Sequence, residues 1–445
     1  MRRTSVYQIV FLAILFPSNA FAGFNVVTSP SLHVSELSPS KTTGLEAIFV
    51  VEDGSESKLT YTTSGSNRVT WKKFSQLGGG YAESIENVTY DGQTSSILLG
   101  DSDMGYIVED NNRQIACWVV NYANHIPTIS HLEVSGDSDC DRVFLNPTGG
   151  FDKITYFSIN GQPIELDRKI VLHYNNLQEN DDKDGWALAE TEKNYPSITG
   201  VFSTEAPLCN ANFTLIGDQF MKEWGSLITV TTGTFETHRV SAITSAVQDE
   251  RSNDNESGSS DGLGRSAPCE ITFKAIPTDA VVFREWQFST MEDFGDIVDR
   301  YNQDEFTHTF NEYGTTFVKY VAADNSGECI FESDIYTISV GESKLECPNA
   351  FSPLNEDGVN DEWKVSYSSL TSFECHIFNR WGTKVFSTTN PAEGWDGRYN
   401  GKFVKPGVFF YVIKATGADG HKYNLSGDIN IIGSRLNPNY GSSAE

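Results

Sequence analysis

Positive charge is scarce in this chain. Its 445 residues carry 32 Lys and Arg against 60 Asp and Glu, a formal charge of -28, and such a balance repels the phosphate backbone of nucleic acids and anionic membrane faces alike. No nucleic-acid partner is expected. Closely spaced cysteines are missing too. The seven, at positions 117, 140, 209, 269, 329, 347 and 375, never come within fewer than 18 residues of each other, so the C-x-x-C ligands of a zinc site or redox dithiol are absent. Beyond the first 22 residues no apolar run approaches the roughly 18 residues a spanning helix needs, so no transmembrane segment is expected in the mature chain. The eight histidines are scattered without an H-E-x-x-H pair, and Gly78-Gly-Gly80 lacks the Gly-Lys-Ser/Thr of a phosphate-cradling loop. Sustained helical periodicity is nowhere to be found.

Short strands are what is there. Alternating or β-branched runs recur between Gly, Asn, Asp and Pro turns, among them Ala47 to Val51, Val69 to Phe74, Ile115 to Tyr122, Ile154 to Ile159, Thr316 to Val321 and Val408 to Lys414. Each has the length of a strand rather than of a helix. The fold class read from this pattern is all-β: tandem immunoglobulin-like β-sandwich modules ending in a small β-sandwich. At 445 residues the chain is too long for one sandwich. The divisions fall at 23–123, 124–235, 236–341 and 345–433, followed by a flexible tail at 434–445. Aromatic residues make up 12%, far above what a disordered acidic chain carries. Trp71, Tyr156 and Trp286, each centred in an alternating strand, are the expected core aromatics. A first strand feeding a second recurs in the segments leading to Cys140 and to Cys269.

Residues 1–22 open with Arg2 and Arg3, continue through a short apolar run and close on Ala20-Phe-Ala22, the order of a secretory signal peptide. Its removal leaves 30 basic against 60 acidic side chains. Seven cysteines suit an oxidising exterior. Spacing across sandwich sheets pairs Cys140 with Cys209 and Cys269 with Cys329, while Cys347 with Cys375 closes a loop in the last module, leaving Cys117 free. A rival scheme joins Cys117 to Cys140 and frees Cys209.

Residues 248–267 are polar, rich in Gly and Ser and nearly devoid of bulky side chains, which reads as a flexible acidic insertion in the third module. Within it, Gly258 to Gly262 matches the nucleophile-elbow pattern formally, but neither flank supplies the strand and helix that motif needs. A calcium-like spacing occurs at Asn180 to Gly185, where the twelfth position is Thr191 instead of a bidentate acid. Asn355, Asp357, Asn360 and Asp361 flank a turn-forming Gly358 and form the better candidate for a structural calcium, the one cofactor the sequence raises. An Asx-type turn is the competing reading.

The last module carries a specific motif series: Pro348, Asn349, Phe351 and Pro353; Asp357, Gly358, Asn360 and Asp361; Phe378, Asn379, Arg380, Trp381 and Gly382; Trp395, Asp396 and Gly397; Gly401; Pro406, Gly407 and Tyr411; and Gly427. It closely resembles the gliding-motility-associated C-terminal domain, or type B sorting domain, of Bacteroidetes proteins exported by the type IX secretion system. Leu354-Asn-Glu stands where that family usually shows Asn-Gly-Asp, which weakens the calcium reading. Residues 236–341 are similar to a PKD or immunoglobulin-like module, through Trp286 to Ser289 and Phe306 to Gly314. The resemblance implies an exported, non-enzymatic surface or extracellular protein. Its partners would be the type IX machinery and an unidentified surface protein or glycan. A glycan-binding adhesin and, less favoured, a secreted hydrolase are the alternatives. Bottom-up, Asn400-Gly401 and Asp419-Gly420 read as hairpin turns. The run from Val408 to Lys414, apolar on both sides, reads as a central strand with both faces covered.

Overall fold

The computed structural model describes residues 23–65, 68–251, 253–257, 262–354 and 357–433. The expected signal peptide, the tail and Asn355 lie outside these residues, as does the Gly258 to Gly262 match except for its last glycine. Almost every regular element is a strand. The chain divides into two compact units. The first runs through Asn176 and adds Glu190–Ala206 and Asn210–Glu236; the second comprises Leu177–Ala189, Pro207–Cys209 and the residues from Thr237 onward.

In the first unit, a four-stranded sheet (Gly23–Val27, Lys58–Thr62, Thr94–Leu98, Thr89–Asp91) faces a six-stranded one. Between them lie Phe49, Val51, Leu59, Trp71, Ile97, Val108 and Val119, the alternate positions of each strand, as a half-buried pleat requires. Ala47–Val51 pairs in parallel with Arg113–Asn121. Both strands are apolar on both faces, and the structure covers both. Ile48, Val50, Trp118 and Val120 turn the other way, onto Ile154, Tyr156 and Leu166 of the hairpin Ile154–Phe157/Pro163–Leu166 and onto Phe220. Residues 23–123 and 124–235 therefore share a continuous core, which a division at residue 123 does not convey. A second sandwich packs His131–Val134, Arg142–Thr148 and Phe202–Glu205 against a sheet containing Ile170–Glu179 and Thr214–Ile216, around Leu132, Val143, Ile170, Leu172 and Phe213.

One helix, Gln219–Glu223, went unread in the sequence because a single turn shows no periodicity. Asp218 caps it, accepting from the Met221 N–H at 3.0 Å.

In the second unit, the strands Ala242–Gln248, Cys269–Pro277 and Glu305–Phe310 form one sheet. They close over a second sheet built on Phe283–Ser289, Gly314–Ala323 and Tyr336–Val340. Trp286, fully buried, stands between them with Phe273 at 5.4 Å and Tyr320 at 5.1 Å. Trp71 and Tyr156 are buried as well, so all three expected core aromatics are core. The sequence's repeated theme also holds: His131–Val134 pairs antiparallel with Arg142–Thr148, and Ala242–Gln248 with Cys269–Pro277.

The insertion at 248–267 differs from expectation. Asn253 to Ser257 lies along the strand Ser366–Ser368 of the last module. The Tyr367 N–H donates to the Asn255 carbonyl at 3.1 Å, and the Ser257 N–H to the Tyr367 carbonyl at 2.6 Å. The Asn255 amide adds bonds to the Val365 and Pro391 carbonyls, both at 2.8 Å. A polar segment without apolar anchors is held here by hydrogen bonds, which composition does not register.

The cysteines differ too. Cys209, Cys269, Cys347 and Cys375, like Cys117, carry thiols rather than disulfides. The expected pairs Cys140–Cys209, Cys269–Cys329 and Cys347–Cys375 are accordingly not those of the structure. Sequence spacing bounds loop length but says nothing of which Cβ atoms converge.

Candidate functional site: the C-terminal domain

The domain at 345–431 is built on a five-stranded sheet in the order Ala350–Phe351, Lys422–Ile431, Gly407–Gly417, Leu370–Phe378, Lys384–Thr388. The first pairing is parallel, Ala350 opposite Asn430 and Phe351 opposite Ile431. The others are antiparallel. Gly407–Gly417 is interior, as expected, but only one of its faces is covered. Phe409 and Ile413 are buried against Leu345, Phe351, Trp395 and Ile429. On the other face Val408 and Phe410 are each 45% exposed and Val412 41%. The small strands Lys344–Glu346 and Ser366–Ser368 contribute to the packed side alone, so the reading of two covered faces is corrected to one.

Most of the motif series has a mechanical job. Trp395 and Phe351 are core residues 5.5 Å apart, with Trp395 donating to the Arg398 carbonyl at 2.9 Å. Tyr411 stacks obliquely on buried Trp363 at 5.3 Å. Trp363 in turn donates to the Pro348 carbonyl at 2.7 Å. Opposite Tyr411 is Gly427, where any side chain would meet the tyrosine ring at under 3.0 Å; a glycine is required beneath the ring. The Asn349 carbonyl accepts from the Asn430 N–H at 2.9 Å, tying the entry to Ala350–Phe351 to the domain's last strand. Gly397, at φ 75°, turns against Pro353, and Asp396 accepts from the Arg398 N–H at 2.9 Å. Asn400 and Gly401, both at positive φ, form the two-residue hairpin that their sequence announces. Pro406 leads into the strand that begins at Gly407.

Three of the four calcium candidates, Asp357, Asn360 and Asp361, take part in backbone turns. Asp357 accepts from the Val359 N–H at 2.9 Å, and Asp361 from the Gly358 N–H at 2.8 Å. Asn360 sits at φ 55°, its carbonyl taking the Ser352 N–H at 2.8 Å. Among the described residues no group of three or more His, Cys, Asp or Glu could hold a metal ion. Asn180 and Asp184 likewise bond each other across a hairpin tip, at 2.6 and 3.0 Å. Burial pushes the Cys375 thiol up to about 12, with Cys347 adding to the effect, and burial raises Cys347 as well, which keeps both protonated at neutral pH.

The turn Asn379 to Thr383 is organised by the Asn379 side chain, which accepts from the Trp381 and Thr383 N–H groups at 3.0 and 2.9 Å; Gly382 takes φ 79°. What remains of the motif series is Phe378, half-buried opposite Phe410, and the pair Arg380 and Trp381. Trp381 is 74% exposed, with the Arg380 guanidinium 4.3 Å from its ring centre. Neither side chain is part of the core.

Comparison with known families decides what this domain is. Residues 345–431 match the CHU_C type IX secretion signal domain. They are a type IX secretion signal domain. Such a signal implies export to the cell surface or the extracellular space and recognition by the secretion machinery. Upstream, residues 133–232 match a fibronectin type III domain, within the second expected module. No curated protein matches the chain. Among solved structures, it is similar to a tetra-tandem repeat in the extending region of a large adhesion protein: 12% identical, covering 86% of this chain and 96% of that one, TM-score 0.20. It is also similar to the fibronectin(III)-like modules of Clostridium thermocellum CbhA, with 13% identity, 43% and 97% coverage and TM-score 0.18. A third is dimeric latent PorU from Porphyromonas gingivalis, with 10% identity, 72% and 35% coverage and TM-score 0.15. No helix among the described residues is long and apolar enough to cross a membrane.

Proposed function

We propose that the chain is an exported, non-enzymatic surface or extracellular protein whose modules from 23 to 341 serve structural or interaction roles. Residues 1–22 drive the first membrane crossing and residues 345–431 the second. The type IX signal domain, with its own core around Trp363 and Trp395, is the observation that carries this reading.

A second reading, a glycan-binding adhesin, draws on Tyr81 in the first module, 75% exposed, since a free aromatic face is what sugar stacking requires. A glycan array with the full mature chain, comparing wild type with Tyr81→Ala, separates the two: glycan retention lost in the variant makes the adhesin reading the correct one.

Deletion of 345–445 in a host with a type IX system tests the address. The truncated chain is expected to cross the inner membrane, fold and remain in the periplasm. Its appearance at the surface or in the medium at full-length amounts refutes the assignment.

A further inference from the structure

We propose that the secretion machinery reads this domain at the Asn379 to Thr383 turn and the open sheet face beside it, through Arg380, Trp381, Val408 and Phe410. The proposal rests on residues 345–431 being the address and narrows that address to one surface. Within the motif series the glycines, asparagines, aspartates and buried aromatics shape turns and core, and their presence follows from the fold alone. Arg380 and Trp381 do not. An indole left 74% exposed, stacked only on a guanidinium, contributes nothing to the core that a small polar residue would not. It has the composition of an interface hot spot, where Trp, Arg and aromatic neighbours dominate.

The neighbourhood extends the surface. Phe378 is opposite Phe410 on one side and opposite Lys384 on the other, so Phe410, Phe378 and Lys384 form a row across three strands. Val408 and Val412 flank Phe410 along its own strand, still more than 40% exposed. An apolar stripe in the middle of an open sheet face marks an interaction site.

Charge selects the partner. Residues 345–431 hold ten acidic and eight basic side chains, against 49 and 21 in residues 23–344, so the chain's negative charge is concentrated outside the signal domain. Arg380 and Lys384 sit at the reading end. The acidic groups on the open face are already engaged, Asp428 with the Asn430 amide at 3.0 Å and Glu374 with His376 at 3.0 Å. The matching occupant is a protein surface with an apolar slot rimmed by carboxylates. An anionic membrane is disfavoured by the repulsion of the whole chain.

The test compares secretion of the full chain in a type IX host for wild type, the 345–445 deletion, Trp381→Ala, Arg380→Glu, Arg380→Lys and, on a different hairpin of the domain, Tyr399→Ala. Trp381→Ala and Arg380→Glu should each lower the secreted fraction at least about tenfold, the loss of one hot-spot side chain. The protein should accumulate in the periplasm with a wild-type thermal midpoint, while Arg380→Lys and Tyr399→Ala secrete normally. Arg380→Glu removes no buried contact, so it decides the matter should Trp381→Ala melt early. Secretion of both variants within twofold of wild type, with the deletion still retained, overturns the surface but leaves the address standing. Secretion of the deletion brings both down. Flotation of the purified full chain with phosphatidylcholine/phosphatidylglycerol vesicles, if abolished by Trp381→Ala, replaces the protein partner by a membrane and overturns the proposal.

Discussion

Arg168 and Asp218 meet at 2.7 Å with neither side chain exposed to solvent. The Tyr122 hydroxyl also donates to Asp218, at 2.8 Å, and the guanidinium spends its remaining donors on the Tyr122 hydroxyl at 3.0 Å and on the Asp152 and His125 carbonyls, both at 2.9 Å. Tyr122 is held well above its ordinary value, by burial first and the Asp218 charge next. Because Asp218 also caps the helix Gln219–Glu223, one buried pair fixes the loops of the first unit to its core.

Removing one partner strands the other charge in the interior. Arg168→Met should destabilise by about 3–5 kcal/mol, and Asp218→Asn in the same chain should recover part of it. Urea unfolding followed by tryptophan fluorescence measures both. A single variant within about 0.5 kcal/mol of wild type, the range of ordinary surface changes, would show the pair to be idle.

Asn255 anchors the insertion. Replacing it with Ala leaves the Val365 and Pro391 carbonyls without their amide donor and should release the segment from the Ser366–Ser368 edge, at a cost of about 1–3 kcal/mol local to that contact. Limited proteolysis reads the result: wild type resists cleavage between Asn253 and Ser257, and the variant is cut there first. Identical digestion patterns would mean the side chain does not hold the segment.

Asp419 links the third module's exit to the signal domain, accepting from the Ser343 N–H at 3.0 Å, the Ser343 hydroxyl at 2.8 Å and the His421 N–H at 2.9 Å. Burial works to raise its carboxyl, but these bonds outweigh it and the net direction is down. A group depressed in the folded state stabilises above its unfolded value, near 4, and that contribution is lost as pH falls through the lower, folded value. The urea midpoint should therefore fall between pH 5 and pH 2 by more in wild type than in Asp419→Asn. Parallel curves for the two proteins would contradict this.

Gly427→Ala should destabilise the signal domain by about 1–3 kcal/mol, since the new methyl meets a Tyr411 ring already packed on Trp363. The same variant with Tyr411→Leu should regain most of the loss. Thermal melts that leave Gly427→Ala unchanged would show that the ring swings aside freely.

How much of this was legible in the sequence depends on the kind of interaction. Alternation placed Trp71, Tyr156 and Trp286 in the core because burial on one face of a strand leaves a period of two, and Asn400-Gly401 announced its own turn. The motif series located the signal domain. The Asn255 bonds left no trace, since hydrogen bonds to backbone carbonyls have no hydrophobic signature. Arg168 and Asp218 are 50 residues apart, each an ordinary loop residue by pattern. The open face of Gly407–Gly417 was misread because apolar residues on both sides of a strand signal burial only when a second layer exists to cover them.

The pairing of Ala350–Phe351 with Asn430–Ile431 has a consequence for timing. The strand Lys422–Ile431, last of the domain to be synthesised, lies between that opening strand and Gly407–Gly417, so the sheet cannot close until it emerges. A chain broken off before Lys422 lacks the strand on which both of these neighbours pair, and its C-terminal sheet stays incomplete.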